Sequence, residues 1–188
     1  PHPKTAKCTI EALKILSDAA EKAGAPKGLI QCMSEPTIEG TDALMHDKNI
    51  SVILATGSTQ MVKAAYSAGK PAYGVGPGNV PAYVDRSADV EKAARYIVAS
   101  KSFDCSTICA TEQAVVADRP IAQRLRELMT REGAYFTDED QTERLRGLLF
   151  NSEGGMITST VGKPAITLAA MAGFAVPPGT RVLVAPLK

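Results

Sequence analysis

Residues 51–75 read SVILATGSTQMVKAAYSAGKPAYGV, and this stretch decides the fold class. The apolar, β-branched run at 51–55 lies between polar turns, which predicts a strand buried on both faces. The residues after Gly57 follow a helical pattern that stops at Gly69, and a second strand then runs into a loop rich in glycine and proline. A strand, a helix and a second strand in this order indicate an α/β fold with parallel strands.

The same alternation continues on both sides of this stretch. Further helices are predicted at 4–22, 39–45, 87–101, 120–132, 138–150 and 162–174, and further strands at 81–85, 114–118 and 181–186. The predicted fold is therefore an α/β, doubly wound parallel sheet. The alternation of predicted helices and strands changes near Gly78, which predicts two parts, 1–78 and 79–188.

The composition is that of an ordinary globular protein. Of the 188 residues, 45% are hydrophobic and 22% are charged, which argues against disordered, collagen-like and coiled-coil classes. The 21 basic and 20 acidic side chains give a formal charge of +1, so nucleic acid is not an expected partner. No apolar stretch is long enough to cross a bilayer, so no membrane segment is expected. The chain begins at Pro1 without a leader, and we expect an internal segment of something longer.

The cysteines and histidines do not have the spacing of a metal site. The cysteines are Cys8, Cys32, Cys105 and Cys109, and the histidines are His2 and His46. Neither set has the short repeats of zinc ligands, so no metal is expected. Reduced thiols are the better interpretation for a chain without a secreted character, and each cysteine is then either core filler or a nucleophile.

Two glycine motifs follow the strands of the opening stretch. Thr56, Gly57 and Ser58 join a strand to a helix, where backbone N–H groups and the helix dipole favour a phosphate. The sequence GVGPGN at 74–79 ends the next strand, and ligands bind at the carboxyl ends of such strands. The alternatives are a plain turn with Ser58 as a helix cap, and a tight connection that needs positive φ angles.

The third motif is the polar segment FDCSTICA at 103–110, between a predicted helix and a predicted strand. A lone cysteine is usually a small buried hydrophobic residue, but two thiols in a polar loop weaken that interpretation. A loop thiol near the ligand edge of a sheet is nucleophilic where local dipoles favour the thiolate.

Together these motifs resemble the aldehyde dehydrogenase superfamily. The sequences PAYGVGPGNVPAYVD at 71–85 and SFDCSTICATEQAVV at 102–116 are most similar to its CoA-acylating branch, the acetaldehyde and propionaldehyde dehydrogenases. The resemblance implies that 1–78 is the C-terminal half of a domain that binds NAD or CoA. It implies that 79–188 is the N-terminal part of the catalytic thiol domain.

The resemblance also assigns roles to single residues. Cys109 matches the catalytic thiol, whereas Cys105 is at a position that the family does not require as a nucleophile. The cofactor-binding positions implied are His2 and Pro3 at the adenosine ribose, Thr56, Gly57 and Ser58 beside the pyrophosphate and nicotinamide, and Gly74, Val75, Gly76 and Pro77 near the nicotinamide.

Val75 departs from the hydrolytic members of the superfamily. They carry a glutamate there that acts as general base for water, and without a base water is a poor nucleophile. The thiol of CoA has a pKa of about 8.5 and is partly ionised at neutral pH. The resemblance therefore implies oxidation of a short-chain aldehyde with NAD, through a thiohemiacetal and a thioester on the cysteine, and transfer of the acyl group to CoA.

Two other functions remain open from the sequence. One is a water-terminated aldehyde dehydrogenase, for which Glu112 is the nearest replacement base, although a structural carboxylate is the favoured interpretation of Glu112. The other is a non-catalytic nucleotide-binding α/β module. We expect a cytoplasmic homo-oligomer, with location in a bacterial microcompartment left open.

Overall fold

The computed structural model describes residues 5–76 and 78–187, so His2, Pro3 and Pro77 lie outside the described residues. These residues form two compact units, 5–76 and 78–187. The first holds α1 (Ala6–Lys22), α2 (Ile38–His46), β1 (Ile53–Thr56), α3 (Thr59–Ser67) and β2 (Ala72–Val75). The second holds β3 (Pro81–Val84), α4 (Val90–Ser102), β4 (Ala114–Ala117), α5 (Arg119–Arg131), β5 (Ala134–Phe136), α6 (Glu139–Leu149), α7 (Ala165–Met171) and β6 (Val182–Val184).

The first unit is built on the predicted strand, helix and strand. β1 and β2 pair in parallel, with Ile53 opposite Ala72, and α3 packs against both strands. The core residues of this unit are Met45, Ile53, Ala55, Ala65 and Ala68. Within the described residues β1 is buried on one face only, whereas the pattern predicts burial on both faces. Its residues alternate between buried and exposed, and Leu54 is 78% exposed.

Gly74 lets α3 lie close to β2. A Cβ atom at this position would lie 2.5 Å from Cγ1 of Val62 and 3.0 Å from the ring of Tyr66, closer than van der Waals contact allows. The N–H of Gly74 also donates to the hydroxyl of Tyr66 at 3.0 Å. Glycine is therefore required here for helix–strand packing, in addition to any role in ligand binding.

The second unit contains two further parallel strand pairs, β3 with β4 and β5 with β6. α4 and α5 pack against each other and against these strands. The core residues of this unit are Val84, Ala94, Ile97, Val98, Leu125, Leu128, Met129, Ala134 and Val182. The parallel α/β class is confirmed, but β5 was not predicted, because three residues after Gly133 are too few to show a periodic pattern.

Helix ends follow the capping residues of the sequence. Asp89 caps α4 by accepting from the N–H of Lys92 at 3.0 Å. Asp138 and Gln141 form a reciprocal capping box at the start of α6. Among the described residues, no helix is both long enough and apolar enough to cross a membrane.

Candidate active site

The first glycine motif and the end of the second strand meet at one sheet edge. In the parallel register Thr56 is the partner of Val75, and the N–H of Gly57 donates to the carbonyl of Val75 at 3.1 Å. The sequence predicts this meeting, because the carboxyl ends of parallel strands share an edge. We call Thr56, Gly57, Ser58, Gly74, Val75 and Gly76 the strand-end site.

The turn in the strand-end site has the features that suit a phosphate group. Ser58 caps α3, since its Oγ accepts from the N–H of Met61 at 3.2 Å, and the helix N-terminus behind it carries a positive dipole end. At Gly57 a Cβ atom would meet nothing closer than Met61 at 3.7 Å. The chain itself therefore does not require glycine at this position. The missing side chain leaves room for a ligand to approach the backbone, so these residues fit the pyrophosphate of a dinucleotide.

Val75 presents an apolar side chain at the same edge. It is 59% exposed at the end of β2, and the next residue, Gly76, has only Val62 near its missing Cβ, at 3.9 Å. A side chain at position 75 can therefore be changed in size and charge without repacking a core.

The loop at 103–113 joins the end of α4 to the start of β4, and we call it the nucleophile loop. Its two cysteines, Cys105 and Cys109, are free and exposed. This loop precedes β4 and lies at the amino end of that strand, whereas the glycine motifs follow the strands of the other compact unit. The expected position of the thiol near the ligand edge stays a prediction.

The first half of the nucleophile loop has a strained backbone. Asp104, Cys105 and Ser106 have φ angles of 47°, 49° and 65°, in the left-handed region that costs non-glycine residues roughly 1–2 kcal/mol each. Hydrogen bonds hold this conformation. The hydroxyl of Ser106 donates to the carbonyl of Lys101 at 2.6 Å, and that of Thr107 donates to the carbonyl of Asp104 at 2.8 Å.

Cys109 lies on the second half of the loop, inside a tight turn from Ile108 to Thr111. The N–H and the hydroxyl of Thr111 both donate to the carbonyl of Ile108, at 3.2 and 3.0 Å. Thr111 is only 4% exposed, so this turn is anchored in the protein while Cys109 faces outward. Next to it, the N–H of Gln113 donates to the carbonyl of Val80 at 2.9 Å, which ties the loop to the start of β3.

Both cysteines line a broad groove in the second unit, with a volume of about 1730 Å³. Lys101, Gln113 and Arg181 are also in its wall. Glu112 is not among the described residues that line the groove. Its Oε2 atom is buried and has no hydrogen-bond partner in the described part of the chain. Burial lowers the pKa of Lys101, and the nearby charge of Glu112 partly opposes that shift. The interpretation of Glu112 as a structural carboxylate stays a prediction.

Sequence reasoning missed three residues of this site, namely Lys101, Thr111 and Gln113. The polar sequence around Cys109 was a signal for a nucleophile loop, but it does not show which side chains hold the loop together. No group of three or more metal-ligating side chains occurs in the part of the chain that the structure describes.

The chain matches the model of the aldehyde dehydrogenase family over residues 1–144. It is 44% identical to an aldehyde-alcohol dehydrogenase of Streptococcus pneumoniae serotype 4 across 100% of this chain and 22% of that protein. The chain therefore spans about a fifth of the length of this curated relative.

Solved structures of similar proteins have the same fold. An acetylating aldehyde dehydrogenase from Geobacillus thermoglucosidasius superposes with a TM-score of 0.92 at 47% identity, covering 100% of this chain and 41% of that one. A propionaldehyde dehydrogenase from Rhodopseudomonas palustris, with bound CoA and an acylated cysteine, gives a TM-score of 0.90 at 32% identity, covering 100% and 43%.

Proposed function

Because the chain belongs to the aldehyde dehydrogenase family, we propose that the full-length protein oxidises a short-chain aldehyde with NAD and transfers the acyl group to CoA. One observation carries the proposal: the thiol of Cys109 is exposed in a groove, on a turn that is itself anchored by buried Thr111. A reactive thiol must be both accessible and held in position. The relative with bound CoA and an acylated cysteine gives the same chemistry a precedent.

In the proposed reaction Cys109 is the nucleophile. Its thiolate adds to the aldehyde carbonyl and gives a thiohemiacetal in its alkoxide form, whose carbon carries the hydride to be removed. NAD, when bound, supplies the hydride acceptor. Loss of the hydride leaves a thioester on Cys109, and the thiol of CoA then attacks its carbonyl carbon. The bond between the acyl carbon and Cys109 breaks, the acyl group leaves as acyl-CoA, the thiolate of Cys109 is restored, and the proton of the CoA thiol passes to solvent.

The strand-end site is the proposed place for the cofactor. Gly57 leaves the backbone open to a pyrophosphate, and the helix that Ser58 caps offers its positive end. Thr56 and the residues from Gly74 to Gly76 are at the same edge. His2, Pro3 and Pro77, which the family resemblance also assigns to the cofactor, stay predictions outside the described residues.

Val75 is the proposed reason why the thioester reacts with CoA and not with water. Water needs a positioned base to attack at neutral pH, a contribution of typically 10²–10⁴-fold. The exposed side chain of Val75 has no group that accepts a proton. A thiol acceptor is partly ionised without such help, so an apolar residue at this position favours thiol transfer over hydrolysis.

The proposed partners are the aldehyde and CoA, and a homo-oligomer in the cytoplasm remains a prediction. Some relatives operate elsewhere, since one solved propionaldehyde dehydrogenase comes from a bacterial microcompartment of Clostridium phytofermentans.

Formation of NADH from acetaldehyde or propionaldehyde, with and without CoA, tests the proposal. The full-length protein should form NADH and the matching acyl-CoA only when CoA is present. Free acid formed at the same rate without CoA would favour the hydrolytic alternative. A protein that forms neither product, and whose Cys109 does not react with iodoacetamide, would be a non-catalytic binding module.

A further inference from the structure

Lys101 makes hydrogen bonds to residues on both sides of Cys109 in the chain. Its carbonyl accepts from the hydroxyl of Ser106 at 2.6 Å, ahead of Cys109 in the chain. Its ammonium donates to Oε1 of Gln113 at 2.9 Å, beyond Cys109. One residue at the end of α4 therefore closes the loop that carries the thiol.

Gln113 continues this connection to the turn of Cys109. Its Nε2 donates to the carbonyl of Thr111 at 3.2 Å, and the N–H and hydroxyl of Thr111 donate to the carbonyl of Ile108. An ammonium only donates and a carbonyl only accepts, so the amide of Gln113 can satisfy both partners in one orientation alone. Hydrogen bonds thus run without a break from Lys101 to the residue that precedes Cys109.

We propose that Lys101 and Gln113 are positioning residues, which set the direction of the Cys109 thiol through the turn from Ile108 to Thr111. The inference rests on the proposed role of Cys109. Both side chains line the groove beside Cys109, where a loosened turn would displace the thiol from its attack path. Misplacement of a reacting atom by about 1 Å can reduce the rate by 10²-fold.

The test is a double-mutant cycle in the full-length protein, with Lys101→Met, Gln113→Leu and the double variant. Each single substitution breaks the same chain of hydrogen bonds, so kcat should fall about tenfold in each and little further in the double variant. The apparent KM for NAD should stay within about twofold, because neither residue is in the strand-end site. Lys101→Arg keeps a donor at this position and should restore most of kcat.

Hydrogen exchange measured by mass spectrometry tests the same inference without catalysis. The peptide that covers the nucleophile loop should exchange faster in Lys101→Met and in Gln113→Leu than in the parent. Lys92→Met removes a charge from the same helix and should change neither the exchange nor kcat. If the parent protein makes no acyl-CoA, the proposed function is overturned. Hydrogen exchange of the loop peptide still decides whether Lys101 and Gln113 hold the loop.

Three results would overturn the inference. One is unchanged exchange of the loop in both single variants. Another is additive loss of kcat in the double variant, which would mean that the two side chains act separately. The last is a Lys101→Arg enzyme as slow as Lys101→Met. If Lys101→Met fails to fold, Gln113→Glu is the deciding variant, because it keeps the acceptor for Lys101 but loses the donor to Thr111. It should lower kcat and leave the apparent KM for NAD unchanged.

Discussion

Thr56 and Val75 are register partners at the carboxyl ends of two parallel strands, and the N–H next to Thr56 donates to the carbonyl of Val75 at 3.1 Å. The turn that suits a pyrophosphate and the residue in the family's base position are therefore fixed to each other by main-chain hydrogen bonds. Because main-chain hydrogen bonds hold this geometry, the side chains at positions 57 and 75 can be changed while the pairing of β1 with β2 is kept. Such variants test the roles of these positions in cofactor binding and hydrolysis.

Val75→Glu should raise hydrolysis of the acyl-enzyme to free acid. A carboxylate at this exposed position can serve as the base for water that the valine cannot provide. The gain should be small, about two- to tenfold, because a new carboxyl group lacks the supporting hydrogen bonds of an evolved base. The measurement is NADH formation without CoA at pH 8. Val75→Gln, of nearly equal size, should show no gain, and equal rates for the two variants would remove Val75 from this role.

Gly57→Val should raise the apparent KM for NAD at least about tenfold. The substitution adds a side chain where the backbone is expected to approach the pyrophosphate. The melting temperature without cofactor should change little, because position 57 is exposed and an added Cβ would meet only Met61, at 3.7 Å. Titration of NAD at saturating aldehyde and CoA measures the effect. An unchanged KM with an intact fold would place the cofactor away from this turn.

Gly74→Ala should destabilise the protein by about 1–3 kcal/mol, the usual effect of overpacking. The new methyl group would lie 2.5 Å from Cγ1 of Val62, so α3 must move away from β2. Thermal unfolding measures the change. Gly76→Ala is the matched control, since its methyl group would meet only Val62 at 3.9 Å. Equal melting temperatures for the two variants would contradict the packing argument.

Cys105→Gly should be more stable than Cys105→Ala by about 1 kcal/mol. Cys105 has a φ angle of 49°, which glycine adopts freely and alanine does not. Both variants remove the thiol, so their difference isolates the backbone conformation. Urea denaturation measures it, and both variants should keep most of the acyl-CoA activity. A glycine variant no more stable than the alanine variant would mean that the strain is released elsewhere in the loop.

The main elements could be predicted because their signals are local. The apolar run before Thr56 and the stop at Gly69 specify β1 and α3 by pattern alone. Three features depend on tertiary contacts and left no such signal: the short strand β5, the exposed face of Leu54 and the left-handed turn at Cys105. The same limit applies to the site, since motifs indicate Cys109 and Gly57 but not the hydrogen bonds of Lys101.

The central claim is that Cys109 carries the acyl group and gives it to CoA. Peptide mass spectrometry tests this most directly, after the full-length protein is mixed with propionaldehyde and NAD and again after CoA is added. The account predicts a propionyl group on Cys109, also in the Cys105→Ala variant, that CoA removes as propionyl-CoA. A propionyl group found on Cys105 instead, or one lost as free propionate at the same rate without CoA, would contradict it.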